Sequence, residues 1–189
     1  CGHQWESITD PEYAASLRAR TEYTGVTGIP ESLLQDRVVA TESINWIRNH
    51  TASDPDQPWF LCSSFSRPHF PLTAPERWIN KYREAGVQPP FAPASGDAYE
   101  HPMSRGMRKG FNADAISKEE MMESRRNYSA NVSYLDEVLG DLLSTLERDK
   151  ALENTIIVYT SDHGEMCGEH GVFWKNGWYE SCNRVPLLI

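Results

Sequence analysis

A chain of 189 residues is long enough for one domain with a substantial core, and 27 acidic against 18 basic side chains give it a formal charge of -9. With an isoelectric point near 5.1 it lacks the basic excess that a nucleic-acid binder presents. No apolar run approaches the roughly 20 residues that a membrane-spanning helix needs.

Residue 1 is Cys, and the sequence stops on the apolar run Val185-Pro186-Leu187-Leu188-Ile189. A strand there needs a partner and a following turn, so the 189 residues are expected to be a fragment, and compartment stays open. The four cysteines, at 1, 62, 167 and 182, show neither CxxC pairing nor zinc-finger spacing. Cys62 lies in an apolar run and is expected to be a buried free thiol.

Residues 1–29 are polar and irregular, with Gly25 and Gly28 as breakers. Pro30 suits a first helical turn, and Leu34, Val38, Val39, Ile44 and Ile47 predict a helix over 31–49. A turn-rich link at 54–57 leads to residues 59–65, which read as a buried strand. The next segment, Ser66-Arg67-Pro68-His69-Phe70-Pro71, has prolines on both sides of His69, so that histidine is expected on a rigid loop at the strand's C-terminal end. A short helix is predicted over 75–84, and 85–117, rich in Pro, Gly and Ala, reads as a long loop.

The strongest helical pattern covers 118–149, where Tyr128, Val132, Leu135, Leu139, Leu142 and Leu146 form one apolar stripe. Residues 155–160 are almost purely β-branched and aromatic, as expected of a strand buried on both faces. A helix followed by such a strand marks an α/β fold. Sequons at Asn49, Asn127 and Asn131 are put down to chance, two of them lying on a predicted helix.

Chemistry collects after that strand, where ligands bind in open α/β sheets. Asp162 and His163 can point into one pocket if Gly164 allows a sharp turn, and a carboxylate beside an imidazole is half of a divalent-metal site. A plainer reading is a capping Asp with a hydrogen-bonded surface His. Lys175, among Phe173, Trp174 and Trp178, suits stabilisation of an anionic group, though it also reads as a lysine lying along apolar surface. His170 is either a further polar contact or a structural residue. The segment is not HExxH, and the adjacency of Ser161, Asp162 and His163 is not triad geometry.

Three segments in the same order carry a resemblance. Thr160-Ser161-Asp162-His163-Gly164-Glu165-Met166-Cys167-Gly168-Glu169-His170-Gly171, with Trp174-Lys175, Tyr179-Glu180 and Arg184-Val185-Pro186-Leu187-Leu188-Ile189 after it, resembles the C-terminal signature of sulfatases. The helix over 128–147 and the segment 65–71 are similar to the same family, which belongs to the alkaline-phosphatase superfamily. The resemblance implies an α/β sandwich with a largely parallel sheet flanked by helices, present here in part. It makes 1–189 a fragment of a single sulfatase-type catalytic domain, without its nucleophile-bearing N-terminal part or its C-terminal subdomain.

By that resemblance Asp162 and His163 are metal ligands, and the Asp-His pair looks like the choline sulfatase and phosphonate monoester hydrolase branch. His69 contacts the sulfate or phosphonate group or protonates the leaving oxygen, and Lys175 binds the same anion. Calcium is the family's usual metal, with manganese in some phosphonate hydrolases. The family's formylglycine nucleophile arises within C/S-x-P-S-R, a motif found nowhere in these 189 residues. It and the paired aspartates that complete the metal shell are expected upstream, so the chain alone is expected to be inactive. The implied partner is a small anionic ester, and oligomeric state is unreadable. Two rivals stand beside a sulfuric ester hydrolase: a phosphonate monoester or phosphodiester hydrolase on the same scaffold, and a non-catalytic metal- or anion-binding remnant.

Overall fold

The structure, a computed structural model, describes residues 24–91, 102–110, 113–175 and 177–189. Two long helices form its frame. After a 3-10 turn at Glu31–Leu33, helix α1 runs Gln35–Ser53, four residues beyond the end read from the sequence. Its buried positions are Asp36, Ala40, Ser43 and Ile47, a helical stripe that begins on a carboxylate. Helix α2, Glu76–Ala85, matches its predicted span closely. Residues 85–117 are more ordered than the loop expected there: Pro102–Gly110 forms helix α3, and Ala113–Ala115 a 3-10 turn. Residues 92–101 and 111–112 of that expected loop lie outside the described residues, as do 1–23.

Helix α4 runs Lys118–Arg148. Its start is fixed by a capping box in which Ser117 Oγ accepts from Glu120 N–H and the Glu120 carboxylate accepts from Ser117 N–H. The buried face is rotated from the expected stripe. Ser124, Asn127, Ala130, Asn131, Tyr134, Leu135, Val138, Leu142 and Leu146 face inward, whereas Val132 is exposed. The apolar pattern failed in the first half of α4 because the inward positions there are polar and small. Asn127 and Asn131 are fully buried, which removes both as glycan acceptors.

The main core joins Leu34 and the α1 residues Ala40 and Ile47 to Tyr134, Val138, Leu142 and Leu146 of α4. Trp59, Leu61 and Phe65 pack on it from the extended segment between α1 and α2. A second cluster of Ala74, Ile79 and Ala130 brings α2 against α4, small residues allowing close approach.

The strands are short. β1, Gly25–Val26, pairs in parallel with β2, Thr73–Ala74, so Gly25 is part of a ladder instead of a breaker. β3, Tyr159–Thr160, pairs antiparallel with β4, Leu187–Leu188, and a final short helix α5 spans Glu180–Asn183. Segment 59–65 alternates inward and outward as a strand does, yet pairs with no strand among the described residues. Its outward side chains are therefore open: Phe60 is 89% exposed, and Cys62 is exposed instead of buried. The 155–160 run likewise departs from the doubly buried strand expected, with Ile156 83% and Val158 56% exposed. The 59–65 run packs on one side only, whereas Ile156 to Thr160 are exposed on both.

Because α1 and α4 meet through Leu142 and its neighbours, Leu142→Ala should cost about 3 kcal/mol through lost burial and the cavity left behind. A urea titration should show a lowered midpoint with an unchanged slope, and an unshifted midpoint would contradict this packing.

Candidate active site

Three segments distant in sequence meet at the ends of the two extended runs. The first is the loop after residue 65, in which the peptide bonds before Pro68 and Pro71 are cis. This loop is held by Asp36, fully buried in the first turn of α1. Asp36 Oδ1 accepts the backbone N–H groups of Ser66 and Arg67 at 2.8 and 3.1 Å, and Oδ2 accepts from Arg67 Nη1 at 2.5 Å. The guanidinium then reaches two further partners, donating from Nε to Asn131 Oδ1 at 2.8 Å and from Nη2 to Thr73 O at 3.4 Å. Its face lies over the Tyr134 ring, 5.2 Å from the centroid. One arginine thus ties both ends of the 67–73 loop to α1 and α4.

His69 sits at the loop's apex. Its Nδ1 is 2.8 Å from Phe70 O, an arrangement that assigns the proton to Nδ1 and turns the Nε2 lone pair outward. The ring stacks on Phe70, which in turn meets Trp174 edge-on.

The second segment follows β3. Asp162 Oδ1 accepts the His163 N–H at 3.0 Å, and Oδ2 stands 3.6 Å from His163 Nε2. His163 Nδ1 is 2.8 Å from Gly164 O, so this imidazole too presents an Nε2 lone pair. The sequence assigned Gly164 a sharp turn, but its role is different. A Cβ there would lie 2.0 Å from the Ser181 carbonyl oxygen, and Gly164 N–H donates to Cys182 O at 2.7 Å. Gly164 is needed for close backbone approach to α5.

The third segment brings Lys175. Its Nζ is 3.1 Å from His69 Nε2 and 2.9 Å from His163 Nε2, so one ammonium donates to both imidazoles. The two rings are 5.7 Å apart, centroid to centroid. His69, His163 and Lys175, separated by up to 106 positions, form one cluster with Asp162 beside it. Asp162 is 87% exposed, so its outer oxygen is free to take a ligand. Trp178, placed by the sequence among the surroundings of Lys175, is instead 75% exposed and donates from Nε1 to Met103 Sδ on α3. His170 stacks on Tyr179 at 4.0 Å and serves the packing of the hairpin over 166–174, closed by Met166 N–H to Trp174 O and Gly168 N–H to Val172 O.

Sequence reasoning missed two groups. Asp36, Arg67 and Asn131 are the first, and the available signal was a carboxylate placed one helical turn before Ala40 on the buried face of α1. Glu165 is the second. Its Oε1 accepts the N–H groups of Cys167 at 3.0 Å and Trp174 at 2.6 Å. Burial pushes the Glu165 carboxyl above its ordinary range, against those two amides and the nearby His69 and His163.

As a metal site the donor set fits in part. A carboxylate oxygen and an imidazole Nε2 on adjacent residues are suitable ligands for a divalent cation. Among the described residues, no group of three or more His, Cys, Asp or Glu side chains is gathered to hold one.

The sulfatase family profile matches residues 7–189, nearly the whole chain. The chain belongs to the sulfatase family. It is 32% identical over 170 residues to a choline-sulfatase of Rhizobium meliloti (strain 1021), covering 87% of this chain and 33% of the relative. It is also 32% identical over 164 residues to an arylsulfatase of Clostridium perfringens (strain 13 / Type A), covering 86% and 33%. This sulfatase-family chain therefore spans about a third of the length of these curated relatives. Its fold is similar to that of a phosphonate monoester hydrolase of Agrobacterium radiobacter, with a TM-score of 0.62 at 23% identity over 94% of this chain and 40% of that one. That likeness, and the small parallel sheet among helices, identify the fold as part of the alkaline-phosphatase-like α/β architecture.

The buried Asp36–Arg67 pair yields a stability prediction. Arg67→Met leaves the Asp36 charge buried without its partner and should cost about 4 kcal/mol. Arg67→Lys keeps a cation but cannot reach Asn131 and Thr73 together, and should fall between. Denaturant midpoints for the three proteins check the order; a Met variant as stable as the parent would contradict it.

Proposed function

We propose that the protein hydrolyses sulfate esters and that this chain carries the anion-binding side of its active site. The observation that carries the reading is the Lys175 ammonium set between His69 Nε2 and His163 Nε2 in a sulfatase-family chain. A sulfate ester is anionic, and charge grows on its oxygens and on the leaving oxygen as the S–O bond breaks. Lys175 suits both tasks: it attracts the ground-state anion and neutralises part of the growing charge. His69 Nε2 accepts from that ammonium until Lys175 turns to the bound anion; protonated there afterwards, it donates to the same anion and passes the proton to the leaving oxygen.

Asp162 and His163 would hold a divalent cation, calcium by family precedent and manganese as the other choice, through the carboxylate and the Nε2 lone pair. Bound there, the cation supplies Lewis-acid polarisation of a sulfate oxygen. His163 Nε2 accepts from Lys175, and the flexible four-carbon stem of Lys175 lets it leave that contact for the anion. No C/S-x-P-S-R sequence occurs in these 189 residues, so the attacking group belongs to another part of the whole protein, and the chain alone is inert.

Two variants of the full-length protein test the roles. Lys175→Ala should lower kcat about a hundredfold while metal content is retained, and Asp162→Ala should lower metal affinity instead. Turnover of an aryl sulfate by the Lys175 variant at the parental rate would remove Lys175 from the site. Paired assays on aryl sulfate and aryl phosphonate esters test the reaction itself, and faster phosphonate turnover would overturn the sulfatase reading.

A further inference from the structure

Lys175 reaches the site from a hairpin whose backbone is unusual. Cys167, His170 and Trp174 all have positive φ, at 43°, 54° and 64°. For a bulky residue such as Trp174 this left-handed conformation is strained and persists only where its surroundings over-determine it. Trp174 directly precedes Lys175, so its φ sets the direction in which the lysine leaves the hairpin.

Three contacts fix that point. Met166 N–H donates to Trp174 O at 2.9 Å, the Cys182 thiol donates to Lys175 O, and Trp174 N–H donates to Glu165 Oε1 at 2.6 Å. The second and third are made by side chains, and of these the third is the one that bears on Trp174 itself. The same Oε1 accepts from Cys167 N–H at 3.0 Å, so one oxygen closes the hairpin across nine residues. Glu165 also lies two residues after His163, which links the Lys175 side of the site to the β3 side.

We propose that Glu165 is a positioning residue, holding Trp174 in its left-handed conformation and thereby aiming Lys175 at His69 and His163. The inference rests on the anion-binding role given to Lys175 above. What Glu165 contributes is reach and an acceptor oxygen, not charge. Gln keeps both and should replace it. Asp keeps the charge but is one methylene too short, and should not.

The test uses the full-length protein, with aryl sulfate turnover, inorganic sulfate affinity by calorimetry, and metal content measured for each variant. Glu165→Asp and Glu165→Ala should lower turnover and sulfate affinity about as far as Lys175→Ala does, with metal content unchanged. Glu165→Gln should stay within about fivefold of the parent, a window that separates rescue from the roughly hundredfold loss of an anion-stabilising donor. The double variant Glu165→Asp/Lys175→Ala should be no worse than Lys175→Ala alone, because a residue that acts through Lys175 has nothing left to position. Additive losses, a Gln variant as poor as Asp, or metal lost from the Asp variant would each overturn the inference. If Glu165→Ala does not fold, the Asp and Gln pair still decides it. Full activity in Lys175→Ala is a different outcome: it removes the anion-binding role of Lys175, and the inference with it.

Discussion

The His69 side of the site hangs on a buried carboxylate far from it in sequence. Asp36 has no exposed surface, and its two oxygens accept two backbone amides and one guanidinium N–H. Burying that charge would be strongly unfavourable alone, and it is tolerated because three N–H donors, one of them cationic, are directed at it. Lying in the first turn of α1, Asp36 also faces the positive end of the helix dipole. The result is geometric: Arg67 can bridge α1, Asn131 on α4 and Thr73 at the far end of the loop. The 66–71 loop has no regular secondary structure, and side-chain bonds do the work of a ladder. His69 inherits its position from this arrangement.

The chain as a whole is acidic, yet the groups that converge at the site are a lysine and two imidazoles. Local composition decides the chemistry here, and net charge does not. The paired orientation of the histidines matters as much as their proximity. Each gives its Nδ1 proton to a backbone carbonyl, of Phe70 or of Gly164, and both Nε2 atoms are turned toward Lys175. Backbone carbonyls are rigid acceptors, so ring orientation is set by the main chain. The site is organised by main-chain geometry first and by side-chain charges second.

How much of this was legible in the sequence follows from which physical signal each part leaves. The long α4 helix was plain, because its capping box and apolar spacing are local. Its buried face was misjudged near Asn127 and Asn131, where polar side chains point inward to bond Arg67 and the helix's own carbonyls. Segments 59–65 and 155–160 were read as strands from their β-branched and aromatic composition, and among the described residues only Tyr159–Thr160 is paired as one. Their burial did not follow, because burial depends on partners that composition cannot supply. The residues singled out by motif resemblance, His69, His163 and Lys175, do come together, with Asp162 beside them. Asp36 was not legible, since a lone acid in a first helical turn is ordinary, and its partner lies 31 positions away.

The hairpin that carries Lys175 shows why the remaining part was hidden. Regular elements spread their stabilisation over many equivalent hydrogen bonds, so sequence patterns report them. Between 165 and 175 the stabilisation is concentrated in a few unlike contacts. Glu165 closes the base, and Arg125 on α4 donates to Cys167 O at 2.9 Å and to Glu169 at 3.1 Å. Val172 and Met166 pack with Cys182, while Phe173 and Trp174 pack with Ala113. Gly168 and Gly171, at φ of 91° and 68°, take conformations that favour glycine, but Cys167, His170 and Trp174 take left-handed ones without that freedom. Local propensity opposes this backbone at three positions, and tertiary contacts hold it. Such a conflict between local and global preference is expected where a side chain must be delivered to a fixed point in space, and the point here is the one between His69 and His163.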